Sequence, residues 1–446
     1  MEPSLLAQLK RTWSGKRVLI TGIGLQGGGA GAVRFFSEMG ANVALTDLRP
    51  KRFFREIVNT YRIAQTRFGG HDRRDFLSAD LIIRNPGMRA NDPLLVLARR
   101  NGTPVRTEAA FIFDVLGRNR IIGITGTKGK STTAALLHHV LRLRYRTELL
   151  GSPGTSGFTF LLSRRRPQWL VYELSNFMLE DLETSPHYAL ITNFLDDHRD
   201  RYNGGTRAYW KVKERIFAYQ RAGDKIFLNR EDAHSEHLAD NIPSERLRWF
   251  GSRTVTEARA PLGSLSIGAV FALSRALGLD ATAVTKRIRT FRGLEGRMQF
   301  IGAFGGVRFI NDTAATNPAA TAFSIAQICA HYLINPSRLI VIAGGADKRL
   351  DISTLARALA PARHRILLPG TATEKLVKIL SRRQLSSTRV LSMNRAVWAA
   401  VKWACRGDIV LLSPGAASFG LFQNEFDRGR AFVRAAKRFG KAPRQR

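Results

Sequence analysis

Residues 123–133 read GITGTKGKSTT, a glycine-rich stretch that contains Gly-Lys-Ser. The stretch overlaps an apolar run at 121–126 and precedes a helical pattern from about Ser131 to Leu143, which is the strand–loop–helix context of a phosphate-binding loop. Five residues separate Gly123 from Gly129 where the usual motif has four, so the spacing is a variant. We therefore predict a nucleotide-phosphate site at the start of this helix.

Each part of the loop has a chemical use. Backbone N–H groups from Gly126 to Lys130 can surround an anion. The Lys130 ammonium would neutralise β- and γ-phosphate oxygens, and the Ser131 hydroxyl would bind Mg²⁺. The loop residues that we predict to bind ATP are Gly126, Thr127, Lys128, Gly129, Lys130, Ser131 and Thr132.

Apolar runs that end in glycine or polar residues recur on both sides of this loop. They lie at 18–20, 43–46, 81–87, 121–126, 169–175, 188–194, 338–345, 364–370, 389–393 and 408–415. Strands alternating with helical patterns indicate parallel sheets, whose ligands bind beyond the carboxyl ends of the strands. We expect an α/β protein of three α/β domains with mostly parallel sheets: a Rossmann-like domain at 1–104, a central P-loop ATPase domain at 105–298 and a Rossmann-like domain at 299–446.

The chain is strongly basic, with 70 Lys and Arg against 35 Asp and Glu, a formal net charge of +35. Such a charge attracts polyanions, but the basic residues are scattered and no nucleic-acid-binding module accompanies them. Nucleic-acid binding is therefore a minor alternative. No apolar run is long enough to span a bilayer, and two cysteines cannot build a disulfide framework. We expect a cytoplasmic enzyme with no membrane partner.

A second glycine motif lies near the start of the chain. Gly22, Gly24 and Gly27 fit GxGxxG after the strand at 18–20, and Asp47 lies 20 residues beyond Gly27. This pattern is typical of dinucleotide binding, so an NAD-dependent oxidoreductase is an alternative that this motif alone favours. The motif itself indicates only that a phosphate can approach a glycine turn at a helix N-terminus, and it does not identify the nucleotide that carries the phosphate.

Carboxylates and an imidazole at two further strand ends suggest a cation site. Glu173 ends an apolar strand, where a carboxylate is costly unless a cation or another partner compensates it. Asp196, Asp197 and His198 follow the next apolar run. Lys213, in a helical pattern, would by default be a solvated lysine.

Seven blocks in order resemble the Mur ligases, which build the peptidoglycan stem peptide. They are TGTKGKSTT (125–133), ELSNFMLEDL (173–182), ITNFLDDHRDRY (191–202), VKERIF (212–217), INDTAATNP (310–318), GGADKRLD (344–351) and LLSPGAASFGLFQNEFDRGRAF (411–432). The resemblance covers nearly the whole chain. It implies amide-bond formation in two steps: a substrate carboxylate attacks the γ-phosphate of ATP to give an acyl phosphate, and an amine then displaces phosphate.

The resemblance also implies the substrates. The last three blocks are most similar to those of the members that add D-glutamate, so the expected partners are UDP-N-acetylmuramoyl-L-alanine and D-glutamate, with ATP and two Mg²⁺ ions. L-glutamate or another acidic amino acid stays an alternative, because the sequence does not encode chirality legibly. In this family the first domain holds the UDP part of the substrate. We expect a monomer.

Site residues follow from the matching positions. The resemblance implies Ser131 and Glu173 at the first Mg²⁺, His198 at the second, and Lys213 as a metal ligand after carbamylation, with Lys130, Lys213 and His198 catalytic. It implies further ATP contacts from Arg297, Asp312 and Asn317. The implied substrate-binding residues are Gly24, Leu25, Gln26, Gly27, Asp47, Arg49, Asn85, Ser152, Lys348, Ser418 and Phe419.

The chain departs from the family pattern at three places. Ser152-Pro153 stands where the best-known members have Asn-Ile, Ala314 stands where many have Lys, and ELSN has Asn176 where ELSS is usual. The implied metal ligands are retained. We therefore expect activity, with altered substrate contacts at these positions.

Overall fold

The computed structural model describes residues 3–23, 28–151, 156–163, 165–195, 202, 205–252, 264–291, 293–348 and 350–441. Three sheets alternate with helices along the chain, which confirms the predicted α/β class with mostly parallel sheets. Among the helices described, none has the length and apolar character needed to cross a bilayer.

The first sheet is parallel and five-stranded. Its strands are β1 (Arg17–Thr21), β2 (Asn42–Asp47), β3 (Gln65–Phe68), β4 (Leu81–Arg84) and β5 (Val105–Arg106), and the helices of this part are α1 (Pro3–Trp13), α2 (Gly28–Glu38), α3 (Arg55–Thr60), α4 (Arg73–Leu77), α5 (Pro93–Arg100) and α6 (Glu108–Leu116). The strand order is β3-β2-β1-β4-β5. The order reverses between β1 and β4, and sheets of this type bind ligands at that point.

The second sheet is parallel and six-stranded. Its strands are β6 (Ile121–Thr125), β7 (Thr147–Leu150), β8 (Trp169–Glu173), β9 (Tyr188–Ile191), β10 (Lys225–Asn229) and β11 (Leu247–Phe250), and its helices are α7 (Lys130–Leu141), α8 (Gly157–Leu162), α9 (Asn176–Leu179), α10 (Gly205–Ala218), α11 (Ala233–Ala239), α12 (Ser264–Ala276) and α13 (Ala281–Arg289). The order is β11-β10-β9-β6-β8-β7. Since β6 lies between β8 and β9, the loop after β6 is flanked by the carboxyl ends of both.

The third sheet is mixed. Its strands are β12 (Gln299–Phe304), β13 (Val307–Asn311), β14 (Leu339–Ala343), β15 (His364–Leu367), β16 (Ser387–Arg389) and β17 (Ile409–Leu412), and its helices are α14 (Pro318–Tyr332), α15 (Ile352–Leu359), α16 (Thr371–Arg382), α17 (Met393–Trp403) and α18 (Glu425–Lys441). The order is β12-β13-β17-β14-β15-β16, with β12 antiparallel to β13 and the other pairs parallel.

One predicted strand is wrong. The run 389–393 is not a strand, because β16 ends at Arg389 and α17 begins at Met393. The Ser392 hydroxyl accepts a bond from the Arg395 amide and caps this helix. A serine before an apolar helical pattern is a helix-start signal, and it outweighs the short apolar run.

The described chain divides into two compact units, the first ending at Arg289 and the second beginning at Thr290. In the first unit, both sheets share one hydrophobic core. Phe35 and Phe36 of α2 pack against Phe111 of α6 and Phe158 of α8, with the Phe111 and Phe158 ring centroids 5.3 Å apart. The expected domain limits within and after this unit stay predictions.

Candidate active site

The glycine loop between β6 and α7 is shaped by two residues with positive φ. Gly126 has φ +140° and Gly129, which precedes α7, has φ +83°. A Cβ on Gly126 would stand 1.9 Å from the Thr192 hydroxyl oxygen, so a side chain does not fit there. Glycine at 126 is thus required by both its backbone conformation and its neighbour.

The segment after β9 clamps this loop. Asn193 Oδ1 accepts bonds from the Thr127 and Lys128 amides at 3.1 and 2.9 Å, and Thr192 Oγ1 donates to the Lys128 carbonyl at 2.6 Å. Two of the amides expected to bind phosphate are therefore already used. Our sequence reasoning missed both clamp residues, although polar side chains directly after a buried strand were a usable signal.

The loop lysine folds back on its own loop. Lys130 Nζ donates to the carbonyls of Gly126 at 2.9 Å and Thr127 at 3.1 Å. The side chain is half-buried, as is that of Thr132 in the same helical turn. The ammonium is thereby held over the loop at the N-terminus of α7, where an anion is favoured.

Ser131 and Glu173 form a buried polar pair behind the loop. The Ser131 hydroxyl donates to Glu173 Oε1 at 2.9 Å, and the two residues are 6% and 8% exposed. Glu173 Oε2 is also buried, and it has no hydrogen-bond partner among the residues that the structure describes. A buried carboxylate oxygen without a donor, beside a hydroxyl, is a set of oxygen ligands that suits Mg²⁺.

The sequence predicts further metal ligands beyond this pair. Within the described ranges, no group of three or more His, Cys, Asp or Glu side chains is arranged so that it could hold a metal ion. The expected ligand His198, with Asp196 and Asp197, lies outside the described residues, as do Gly24, Leu25, Gln26, Gly27 and the Ser152-Pro153 departure.

Lys213 is not a solvated lysine. It lies on α10 and is 1% exposed. Its ammonium donates to Asn176 Oδ1 and stands 4.1 Å from the centre of the Tyr209 ring. The departure at Asn176 is therefore in direct contact with the lysine that the family resemblance singles out.

In the first sheet, Gly22, Asp47 and Asn85 meet where the strand order reverses. A Cβ on Gly22, which has φ +90°, would stand 3.4 Å from Asn85 Cβ and 3.5 Å from Asp47 Oδ2. Asp47 accepts a bond from the Ile23 amide at 3.2 Å, and its two oxygens accept from the Arg49 guanidinium at 3.1 and 3.0 Å. Burial raises the Asp47 pKa, but these bonds outweigh it and leave the pKa below its ordinary value.

In the second unit, Asp312 follows β13 and is buried. It accepts bonds from the Met298 amide at 3.2 Å and the Ser413 hydroxyl at 3.0 Å. Burial raises the pKa of Asp312 to about 6, against these bonds and the positive charge of Arg297. The positive charge of Arg297 thus acts on Asp312, and their shared contact with ATP stays a prediction.

The loops after β14 and β17 are joined by a backbone bridge, in which Ala346 and Ala417 exchange hydrogen bonds at 2.9 and 3.1 Å. This places Lys348 and Ser418 on adjacent loops. Lys348 is exposed and donates to the Thr316 hydroxyl at 3.0 Å. Ser418 is buried, and Phe419 is 59% exposed.

Asn317 has a structural use. Its side chain accepts a bond from the Ala320 amide at 2.8 Å and caps α14, with Pro318 as the first helical residue. A buried arginine that we did not predict, Arg428, binds the Thr313 carbonyl and hydroxyl at 3.0 Å each and the Ala416 carbonyl at 3.1 Å. It ties the loop after β13 to the loop after β17.

A second arginine that sequence reasoning missed lies in the first unit. Arg84 ends β4 and has no exposed surface. It donates to Asp181 at 2.7 Å and to the Phe177 carbonyl at 3.0 Å, and it lies 3.1 Å from Glu180. Arg84 precedes Asn85 and Phe177 follows Asn176, so Arg84 ties the end of β4 to the start of α9.

Family models match three stretches of the chain. They are described as Mur ligase MurD-like, N-terminal domain, over residues 16–107, Mur ligase middle domain over 124–260, and Mur ligase, glutamate ligase domain, over 296–415. The three stretches follow the order of the three sheets, and the middle stretch begins within β6.

Relatives match over nearly their full length. A UDP-N-acetylmuramoylalanine--D-glutamate ligase of Roseiflexus sp. (strain RS-1) is 35% identical over 96% of this chain and 99% of its own. A ligase of the same name from Borreliella burgdorferi is 31% identical over 95% and 98%.

Solved structures share the fold. The UDP-N-acetylmuramate-alanine ligase of Thermotoga maritima has a TM-score of 0.60 at 20% identity, over 95% of this chain and 99% of its own. A MurF ligase of the same organism, in complex with ADP, has a TM-score of 0.54 at 13% identity, over 96% of both chains. The fold, the ordered domains and the full-length relatives agree: the chain belongs to the Mur ligase family and is an ATP-dependent ligase.

Proposed function

We propose that this ligase adds D-glutamate to UDP-N-acetylmuramoyl-L-alanine in the cytoplasm, as a step of peptidoglycan synthesis. The observation that carries the proposal is the buried Ser131–Glu173 pair directly behind the glycine loop, with Glu173 Oε2 lacking a donor among the described residues. It supports a metal-assisted phosphoryl transfer rather than a hydride transfer. The similarity to D-glutamate ligases over nearly the whole chain supports the choice of substrates.

The glycine loop would hold the phosphates of ATP. Lys130 leaves its carbonyl partners to neutralise phosphate oxygens, and the N-terminus of α7 favours the same negative charge. Ser131 and Glu173 would hold one Mg²⁺, which supplies charge neutralisation for the transferred phosphoryl group. The substrate carboxylate attacks the γ-phosphorus and ADP leaves, giving the acyl phosphate.

A second Mg²⁺ would be held by His198 and by Lys213 after CO₂ has added to its amine. Burial of the Lys213 amine in α10, in contact with Asn176, supports this role, since a lysine without a specific use would stay in solvent. Arg297, Asp312 and Asn317 would contact the nucleotide. Asn317 can do so only with groups that are not used in capping α14.

The first sheet would hold the UDP part of the substrate. Gly22, Asp47 and Asn85 converge where such sheets bind ligands. Gly24, Leu25, Gln26 and Gly27, which lie outside the described residues, would bind the same substrate. Asp47 is held by Arg49 and the Ile23 amide, which keeps it ionised and able to accept bonds from hydroxyl or imide groups. Ser152 would contact the reacting end of the substrate.

The loops after β14 and β17 would hold the incoming amino acid. Lys348 offers an exposed cation for a carboxylate, Ser418 a hydroxyl and Phe419 an apolar surface. The amine of the amino acid attacks the acyl carbon, loses a proton and displaces phosphate.

The decisive experiment is phosphate release by the full chain with Mg²⁺, ATP and UDP-N-acetylmuramoyl-L-alanine, with D-glutamate or L-glutamate in parallel. We expect release that requires the UDP substrate and D-glutamate together. If phosphate is released with L-glutamate but not with D-glutamate, the mechanism stands and the product changes. If no phosphate is released with either amino acid, the proposal is refuted.

A further inference from the structure

Asn176 replaces the second serine of the ELSS pattern, and it is the residue that contacts Lys213. Its side chain is 5% exposed and lies at the start of α9, three residues after Glu173. The Lys213 ammonium donates to Asn176 Oδ1. A residue that departs from the family pattern thus touches the group proposed to carry CO₂.

The orientation of the Asn176 amide is fixed by its other bonds. Nδ2 donates to the Tyr209 carbonyl at 2.9 Å and faces the Tyr202 hydroxyl at 3.4 Å. A carbonyl can only accept, so the nitrogen must point to Tyr209 and the oxygen must point to Lys213. The Tyr202 hydroxyl in turn donates to Glu180 at 2.8 Å. Asn176 Oδ1, the acceptor that faces Lys213, is therefore held in place by a hydrogen-bond network and does not rotate freely.

This geometry has a consequence for the modified lysine. When CO₂ adds, the ammonium first loses a proton to water, the amine lone pair bonds to carbon, and a second proton leaves to water. The carbamate nitrogen keeps one N–H. Because that nitrogen is planar, an acceptor that fixes the N–H direction also fixes the direction of the carboxylate.

We propose that Asn176 is the positioning residue for the carbamate of Lys213: its Oδ1 accepts the remaining N–H and so directs the new carboxylate. This inference rests on the proposed function of Lys213. A serine at 176 is one bond shorter, and its single oxygen would have to serve both the Tyr209 carbonyl and Lys213, which Asn176 serves with two separate atoms.

The test uses the full chain in ¹³C-bicarbonate with Mg²⁺ and ADP, and it follows the carbamate resonance by ¹³C NMR. The variants are Asn176→Ala, Asn176→Ser, and Lys213→Arg, which has no amine that can be modified. The matched control is Gln220→Ala, another buried amide that bonds two backbone carbonyls just after α10. Thermal unfolding of each variant checks that the fold is retained.

We expect a resonance in the unmodified chain and in Gln220→Ala, and none in Lys213→Arg. Asn176→Ala should need about tenfold more bicarbonate for half-occupancy, the size expected for a hydrogen bond to a charged or strongly polar group. The bicarbonate concentration for half-occupancy in Asn176→Ser should lie between those of the unmodified chain and Asn176→Ala. The KM for ATP should stay unchanged while kcat at ambient CO₂ falls.

Equal carbamate occupancy in the unmodified chain, Asn176→Ala and Asn176→Ser would overturn the role of Asn176 and leave that of Lys213 intact. A resonance that persists in Lys213→Arg, or is absent from the unmodified chain while ligation proceeds, would overturn both the Lys213 role and the inference. If Asn176→Ala does not fold, Asn176→Ser carries the comparison.

Discussion

The Thr192 hydroxyl fills the space that a side chain on Gly126 would need, since an ideal Cβ there would stand 1.9 Å from it. Gly126→Ala must therefore displace either the loop or Thr192. We expect ATP-dependent phosphate release to fall at least about 100-fold, the usual effect of misplacing a reacting group by an ångström. Gly70→Ala is the control, because nothing lies within 4 Å of a Cβ there. Normal turnover in Gly126→Ala would show that the loop is placed differently.

Asn193 holds two loop amides with one oxygen. Asn193→Ala releases both and should raise the KM for ATP about tenfold, because two buried donors lose their acceptor. The measurement is phosphate release at varied ATP. Asn101→Ala, which alters an exposed asparagine after α5, should change nothing. An unchanged KM for ATP in Asn193→Ala would show that the clamp does not contribute to ATP binding.

Glu173 is expected to be the main protein charge on one Mg²⁺. Glu173→Gln keeps the size of the side chain and removes the charge, so the Mg²⁺ concentration for half-maximal turnover should rise at least about tenfold. Chelation of Mg²⁺ should stop the unmodified enzyme. The exposed Glu236 gives a matched control in Glu236→Gln. Identical Mg²⁺ titrations for the two variants would argue against a metal at Glu173.

Much of this site was predictable, because strand ends carry ligands in parallel sheets. The glycine loop and Glu173 were identified from apolar runs that end in functional residues. That Ser131 meets Glu173 was not readable from chain order, since it depends on β8 pairing with β6 across the sheet. The clamp by Thr192 and Asn193 was missed although both polar residues directly follow the buried strand β9, because the sequence does not show which backbone groups they bind.

Strand prediction failed mainly at sheet edges. Central strands such as β6 and β14 are buried throughout and read as apolar runs. The edge strands β3 and β12 are partly exposed and mix polar with apolar residues. A strand with one bonded neighbour needs less apolar surface, so its sequence resembles a loop.

Asp312 should make stability depend on pH. Its pKa of about 6 lies above the ordinary value of 3.8, so between these pH values the folded protein holds a proton that the unfolded chain has lost. The contribution of Asp312 to the free energy of unfolding is therefore highest below this pH window, and it falls by roughly 3 kcal/mol as pH rises through the window. Thermal unfolding of the unmodified chain and Asp312→Asn at pH 4.5 and 7 should show a fall only in the former. Parallel pH profiles would place the titration elsewhere.

Arg84 compensates two acidic side chains that are themselves nearly buried. Arg84→Met would leave them without this partner and should lower the free energy of unfolding by roughly 3 kcal/mol. Arg99 also binds Asp181 and moderates the loss. Arg74→Met removes an ion pair whose arginine side chain is 86% exposed, and it should leave the thermal midpoint nearly unchanged. Equal midpoints for the two variants would contradict the assigned role of Arg84.

The aromatic core between α2, α6 and α8 also determines where the chain can be cut into fragments for expression. A fragment that ended near residue 107 would keep Phe35 and Phe36 but lose Phe111 and Phe158, and it would present a bare aromatic face to water. Such a face promotes aggregation. The expected UDP-binding and ATP-binding domains should therefore be expressed and crystallised as one fragment. A cut near Arg289 falls at the boundary between the two compact units.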